Sequence, residues 1–146
     1  MVRMLLSYAS IQPTTSDIAM PADESTLLQS WHHNAHAWIE AVRTGAIESR
    51  LKVTDQAILL AILGRHPERV LDLGCGEGWL LRALTDRGIE AAGVDGDATL
   101  VQAARAAGAS SVYLASYQEL AETRVQIGND YNLICANFPL LHQDII

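Results

Sequence analysis

Basic residues are in short supply. The chain of 146 residues carries 10 Lys and Arg against 17 Asp and Glu, a net charge of −7. A general nucleic-acid binder presents a basic face, so nucleic acid is not an expected partner. Cysteine is scarce as well: Cys75 and Cys135 are the two present. They fall in or beside predicted strands and form no disulfide or metal-ligand spacing. Both read as free thiols of a reducing cytoplasm. No apolar run approaches the length of a membrane span, and Met4-Leu5-Leu6 is too short for a signal-peptide core. A membrane partner is therefore not expected either. Disorder is excluded by a hydrophobic share of 49%. A chain near the usual size of one domain can bury about 70% of its unfolded surface. This balance fits a soluble domain that handles a small ligand.

What is present is one organising stretch, Arg69 to Trp79, R-V-L-D-L-G-C-G-E-G-W. Val70 to Leu73 is a short apolar run with one acid, Asp72, and reads as a buried strand. Gly74, Gly76 and Gly78 alternate with Cys75 and Glu77, which lets the backbone turn sharply and approach a ligand closely. Leu80, Leu81 and Leu84 follow at helical spacing, and Gly88 ends that helix. Strand, glycine loop and helix together make a nucleotide-type site at a helix N-terminus. The dinucleotide fingerprint G-x-G-x-x-G fails, because the sixth place from Gly74 is Trp79. A Walker Gly-Lys-Ser/Thr is absent. Cys75 is a small residue suited to a tight loop.

A second anchor lies downstream. Ile89 to Val94 reads as a strand ending at Asp95-Gly96-Asp97. Asp95 stands 21 residues past Gly74, where a carboxylate can accept hydrogen bonds from two ribose hydroxyls. Asp97 suits the N-cap of the following helix, which carries Leu100, Ala103, Ala104 and Ala107 and closes at Gly108. Ser111 to Ala115 is a third strand and Gln118 to Arg124 a short helix. Tyr131 to Ala136 is a fourth strand.

Upstream, residues 1–22 read as a flexible tail, residues 23–66 as a helical cap and residues 67–146 as the core. Asp23 to Thr44 is a helix with Leu27, Trp31, Ala35, Trp38 and Val42 on one face. His32, His33 and His36 lie on it. Without H-E-x-x-H or a completing Cys or His they read as a solvated face, with no metal site. The titration of His near neutrality leaves a pH-sensitive lid open as well. Ile47 to Val53 links to a helix over Thr54 to Leu63, with Thr54 as N-cap and Gly64 as its end.

The pattern hydrophobic-hydrophobic-Asp-hydrophobic-G-x-G-x-G with a following acid resembles motif I of the class I S-adenosylmethionine-dependent methyltransferases, small-molecule type. The resemblance covers roughly residues 27 to 144. It implies an α/β fold, a Rossmann-like parallel sheet in the order 3-2-1-4 with flanking helices. The N-terminal helix then serves as a lid over cofactor and acceptor. The full family sheet has seven strands, so the chain is expected to stop before strands five to seven. That would leave strand four as an open edge and a route to self-association.

The same resemblance assigns S-adenosylmethionine as cofactor. Asp72 would orient the glycine loop and the methionine amino group, and Gly74, Cys75 and Gly76 would approach the cofactor through backbone. Asp95 and Gly96 would hold the ribose. The family's adenine-contacting acid is replaced by Ser116, followed by Tyr117. An acid common in motif IV is replaced by Asn132. Asn137-Phe138-Pro139 differs in order from the N-P-P-Y signature, but Asn137 is placed to line the pocket. Arg50 has two equal readings, a holder of the methionine carboxylate or a surface residue paired with Glu48 or Asp55. His142 past the last strand has two readings, a substrate-side base or, more often for a lone His, a structural residue. The expected function is methyl transfer to a small-molecule acceptor. The alternatives are a non-catalytic binding module and a nicotinamide-dependent oxidoreductase, the latter opposed by the loop spacing.

Overall fold

The structure is a computed structural model that describes residues 3–7, 24–122 and 125–137. His142 and Pro139 lie outside them. Among the described residues five strands form one parallel sheet: β1 (Arg3–Ser7), β2 (Arg69–Leu73), β3 (Glu90–Asp95), β4 (Val112–Leu114) and β5 (Leu133–Asn137), ordered β1-β5-β2-β3-β4. The four strands expected from the sequence stand in the expected order. The connections between them carry α3 (Trp79–Thr85), α4 (Ala98–Ala106) and α5 (Tyr117–Ala121), while α1 (Glu24–Thr44) and α2 (Asp55–Leu63) precede β2.

Two expectations are corrected here. Residues 1–22 were expected as a tail throughout, yet Arg3–Ser7 is a strand in parallel register with β5, from Arg3↔Leu133 to Ser7↔Asn137. β1 thus covers β5 and is itself the edge of the sheet on that side. The cap expected over residues 23–66 is also divided. Ile58 and Ile62 of α2 pack with Val70, Leu80, Leu84, Leu133 and Cys135, so α2 belongs to the layer that covers the sheet. Of the expected cap, α1 is the part that lines the cleft described below.

The segment before α2 departs from a simple cap. A π-helical turn, Arg50–Thr54, runs directly into the helix; Thr54 has helical φ and ψ and makes no capping hydrogen bond. Gly64 ends α2 with φ −63°, in the right-handed region.

One face of the sheet is covered by α2, α3 and α4. Leu81, Val101, Ala104 and Val112 form the core under α3 and α4. Strand side chains alternate between faces, so Leu71, Ala92 and Val94 point the other way. There they meet Ala115, with Leu120, Val125, Ile127 and Tyr131 packed against them. Asn132 anchors the N-terminal end of β5: its Oδ1 accepts from the Glu68 and Arg69 amides at 3.2 and 3.1 Å. It therefore stands at the opposite end of the sheet from the glycine loop.

The loop seats on β3 through Gly93. A Cβ at Gly93 would lie 2.6 Å from Cys75 Cβ and 2.7 Å from both Cys75 Sγ and Leu81 Cδ1. We expect Gly93→Ala to destabilise the fold by about 1–3 kcal/mol, the usual cost of overpacking, seen as a lower urea midpoint with unchanged slope. A midpoint equal to wild type would show that the loop shifts freely from β3.

Candidate cofactor cleft

Ligands of open parallel α/β sheets bind beyond the carboxyl ends of the strands. A cleft lies there in this chain, with Gly74, Gly76, Asp95, Gly96, Ser116, Tyr117 and Asn137 in its lining. These seven residues were anticipated from sequence, and the fold brings them together. Arg50, Asp72 and Cys75 were anticipated with them but do not line it.

The glycine loop and the acid of β3 are joined directly. The Gly76 N–H donates to Asp95 Oδ2 at 2.8 Å, and the Asp97 N–H donates to Asp95 Oδ1 at 2.9 Å. Gly76 has φ +57°, a backbone setting that an L side chain resists, and it aims its N–H across to β3. The amides of Gly74 and Cys75 both donate to Val94 O, at 2.8 and 3.0 Å. Burial pushes the Asp95 carboxyl above its ordinary range, against the Asp97, Gly76 and Gly96 amides that hold it down. Each carboxylate oxygen keeps a lone pair after accepting one amide.

Asp72 lies elsewhere. It is 3% exposed, directly opposite Cys135 in the β2–β5 register. The Cys135 thiol donates to its Oδ1 at 3.5 Å. The carboxylate that accepts the Gly76 amide of the loop is that of Asp95. Burial pushes the Asp72 carboxyl up to about 7; the Cys135 contact lowers it and the negative charge of Asp95 raises it further. Cys75 is likewise buried, and burial pushes both thiols well above their ordinary range. They are free and are packing groups.

Asp97 caps α4. Its Oδ1 accepts from the Thr99 and Leu100 amides at 2.8 and 3.0 Å, and His32 Nδ1 lies 3.0 Å from its Oδ2. Desolvation would raise this carboxyl, but these hydrogen bonds bring it below its ordinary value. His32 thus ties α1 to the cleft wall, and all three histidines, His32, His33 and His36, are exposed. Among the described residues no group of His, Cys, Asp and Glu could hold a metal ion.

Helix α1 closes one side of the cleft. Leu28, Trp31 and Trp38 face it, and Leu28 Cδ2 sits 2.6 Å from where a Cβ on Gly96 would lie. Trp38 Nε1 is 3.6 Å from the corresponding position on Gly76. The two indoles meet edge to face, centroids 5.8 Å apart at 76°. Their helical spacing showed one apolar face; that the face meets a cleft required the fold.

Ser116 lines the cleft but spends its polar groups on α5. Its hydroxyl accepts from the Glu119 amide at 3.1 Å, and its own amide donates to Glu119 Oε2 at 2.8 Å, a capping box. Asn137 Oδ1 is buried without a hydrogen-bond partner among the described residues. A buried acceptor left unpaired is costly, and this one sits in the cleft lining.

Sequence reasoning missed Glu77. The side chain is 1% exposed, and Arg82 reaches its two carboxylate oxygens at 2.8 and 2.9 Å. Arg43 of α1 adds a contact at 3.3 Å. A lone acid between two loop glycines with Arg82 five residues on was the available signal.

With this geometry in view, the comparisons with known proteins are direct. A family profile described as "methyltransferase domain" matches residues 30–144, and the chain belongs to that family. No curated protein matches. Among solved structures, a TehB-like SAM-dependent methyltransferase from Corynebacterium glutamicum superposes with TM-score 0.53 at 21% identity, covering 71% of this chain and 54% of that one. Streptomyces venezuelae DesVI gives TM-score 0.52 at 18% identity, covering 70% and 43%. The plantazolicin methyltransferase BamL, solved with a triazolic desmethylPZN analogue and SAH, gives 0.45 at 22%, covering 77% and 48%. The chain spans about half the length of the structures it matches.

The buried Asp72 generates a pH prediction. Its folded pKa is raised, so it favours the folded state fully below the unfolded value of 3.8. That contribution is lost as pH rises from there through about 7. We expect Asp72→Asn to gain stability over wild type at pH 8, on the order of a few kcal/mol, and to lose that advantage near pH 4. Urea unfolding of both proteins at the two pH values checks it; parallel pH profiles would remove Asp72 as the source.

Proposed function

We propose that this cleft binds S-adenosylmethionine and that the chain is part of an enzyme that methylates a small-molecule acceptor. The observation that carries the reading is the Gly76–Asp95 hydrogen bond of 2.8 Å, which sets the glycine loop and the acid of β3 side by side in one cleft, in a chain of the methyltransferase family. The residues fit the cofactor on three counts. The backbone at Gly74 and Gly76 faces the cleft without a side chain. Asp95 keeps acceptor capacity for vicinal hydroxyls after binding two amides. Asn137 offers an unsatisfied acceptor to a donor from the ligand.

In this reading Asp95 and Gly96 hold the ribose, Ser116 and Tyr117 border the adenine, and the backbone of Gly74 and Gly76 lies along the methionine side. Asp72 and Cys75 support from beneath. The cofactor, when bound, supplies a methyl group already activated by a sulfonium. The chain's part is to hold the acceptor close and in line and to exclude water. Leu28, Trp31, Trp38, Leu100 and Ala115 give the apolar walls for the latter. A base is needed only for an acceptor with a proton to lose.

Small molecules rather than nucleic acids are the partners that a net charge of −7 favours. Among the described residues no helix is long and apolar enough to cross a membrane. Two buried free thiols suit a reducing cytoplasm. A nicotinamide dinucleotide is disfavoured by Trp79 at the place of the third fingerprint glycine.

Calorimetric titration with S-adenosylhomocysteine, with NAD as control, tests the reading. We expect binding of the former alone, weakened by about 1–3 kcal/mol in Asp95→Ala through loss of hydrogen bonds to a charged group. A folded wild-type chain that binds only NAD, or neither, would defeat the proposal. Unchanged affinity in a folded Asp95→Ala variant would remove Asp95 from the site.

A further inference from the structure

Arg50 is 7% exposed, and a buried cation is costly unless it is partnered. Its Nε donates to Asp55 Oδ1 at 3.0 Å, which satisfies one of five donors. The larger arrangement is aromatic. The guanidinium carbon lies 5.1 Å from the Trp38 ring centroid and 5.3 Å from that of Trp79, both within the range of a cation–π contact. Trp38 comes from α1, and Trp79 opens α3 immediately after the glycine loop. The cation therefore links the helix over the cleft to the helix that the glycine loop starts.

The backbone around Arg50 is unusual in the same sense. Arg50 begins the π-helical turn Arg50–Thr54, a rare geometry that clusters at functional sites. That turn leaves Thr54 Oγ1 buried without a partner. A local arrangement that costs a hydroxyl its hydrogen bond is held by something else, and the contacts of Arg50 are what the turn delivers. Beyond Arg50, Trp38 lines the cleft, with Nε1 3.6 Å from the Cβ position of Gly76. Arg50 itself does not line it.

We propose that Arg50 is a positioning residue: it sets the Trp38 indole against the glycine loop and acts on ligand binding through Trp38, without touching the ligand. The inference rests on the cofactor reading of the cleft. Of the two sequence readings of Arg50, the pairing with Asp55 is present, at a buried position and not on the surface; the inference takes the place of the carboxylate-holder reading, because Arg50 does not line the cleft.

Two ligands separate the possibilities. S-adenosylhomocysteine carries the amino acid carboxylate, and 5′-methylthioadenosine lacks it. We expect Arg50→Met to weaken both by the same factor, roughly three- to thirtyfold, the range of a desolvated cation–π contact. Added to Trp38→Leu, Arg50→Met should cost less than about twofold more, because coupled residues are non-additive. Arg50→Lys keeps the charge beside Asp55 but loses the planar stacking group. It should show the same equal loss, and it serves if Arg50→Met does not fold. In ligand-free protein labelled with 5-fluorotryptophan, the Trp38 fluorine resonance should move in Arg50→Lys.

Loss confined to S-adenosylhomocysteine would overturn the proposal in favour of direct carboxylate contact. A full effect of Arg50→Met on the Trp38→Leu background would overturn it as well. An unmoved Trp38 resonance would do so without reference to any ligand. Failure of the wild type to bind either ligand, with the resonance moved, would instead defeat the reading of the cleft.

Discussion

The carboxylate of Asp95 is the point on which the cleft depends. It accepts the Gly76 amide with one oxygen and the Asp97 amide with the other. The first bond fixes the glycine loop against β3, and the second sets the turn from which α4 starts. Asp97 then caps α4 and meets His32 of α1. A single side chain thus orders the loop, the next helix and, through one further residue, the covering helix. Two amides aimed at one partly buried carboxylate are a preorganised polar arrangement, already formed before any ligand arrives.

Around that centre, α1 is held by contacts of different chemistry. Leu28 packs over Gly96, His32 bonds Asp97, Trp38 stacks on Arg50, and Arg43 reaches the buried Glu77. Each contact ends on the glycine loop, on a residue beside Asp95, or on the cation stacked against the start of α3. A displacement of α1 would therefore be felt where the loop turns. Glu77 shows the electrostatic side of this: a carboxylate inside the loop is tolerable because Arg82 and Arg43 neutralise it from two helices.

Much of this was legible in the residues. Strands β2 to β5 announce themselves as short apolar runs bounded by turn residues, and the spacing from Gly74 to Asp95 placed both on adjoining strand ends. The cap at Asp97 followed from residue type alone. Other features depend on contacts distant in the chain. Asp72 has the right spacing for a loop contact, but spacing does not say which neighbour a strand residue faces; its neighbour proved to be Cys135. Thr54 looks like a helix cap, but the chain enters α2 through a π-helical turn that begins at Arg50, which is buried against two indoles. Arg3–Ser7 has too short an apolar run to declare a strand, and its partner, β5, lies at the far end of the sequence.

That last pairing has a consequence for how the chain folds. β1 aligns Arg3 with Leu133 and Ser7 with Asn137, residues about 130 positions apart, so the first strand cannot pair until β5 exists. Closing so long a loop costs only slowly more with length, but non-local parallel pairing is slow to form. During synthesis β1 would wait for β5 before it joined the sheet. Because the pairing is parallel, Arg3 and Asn137 stand at opposite ends of the two strands, so a connection between them would have to cross over the sheet.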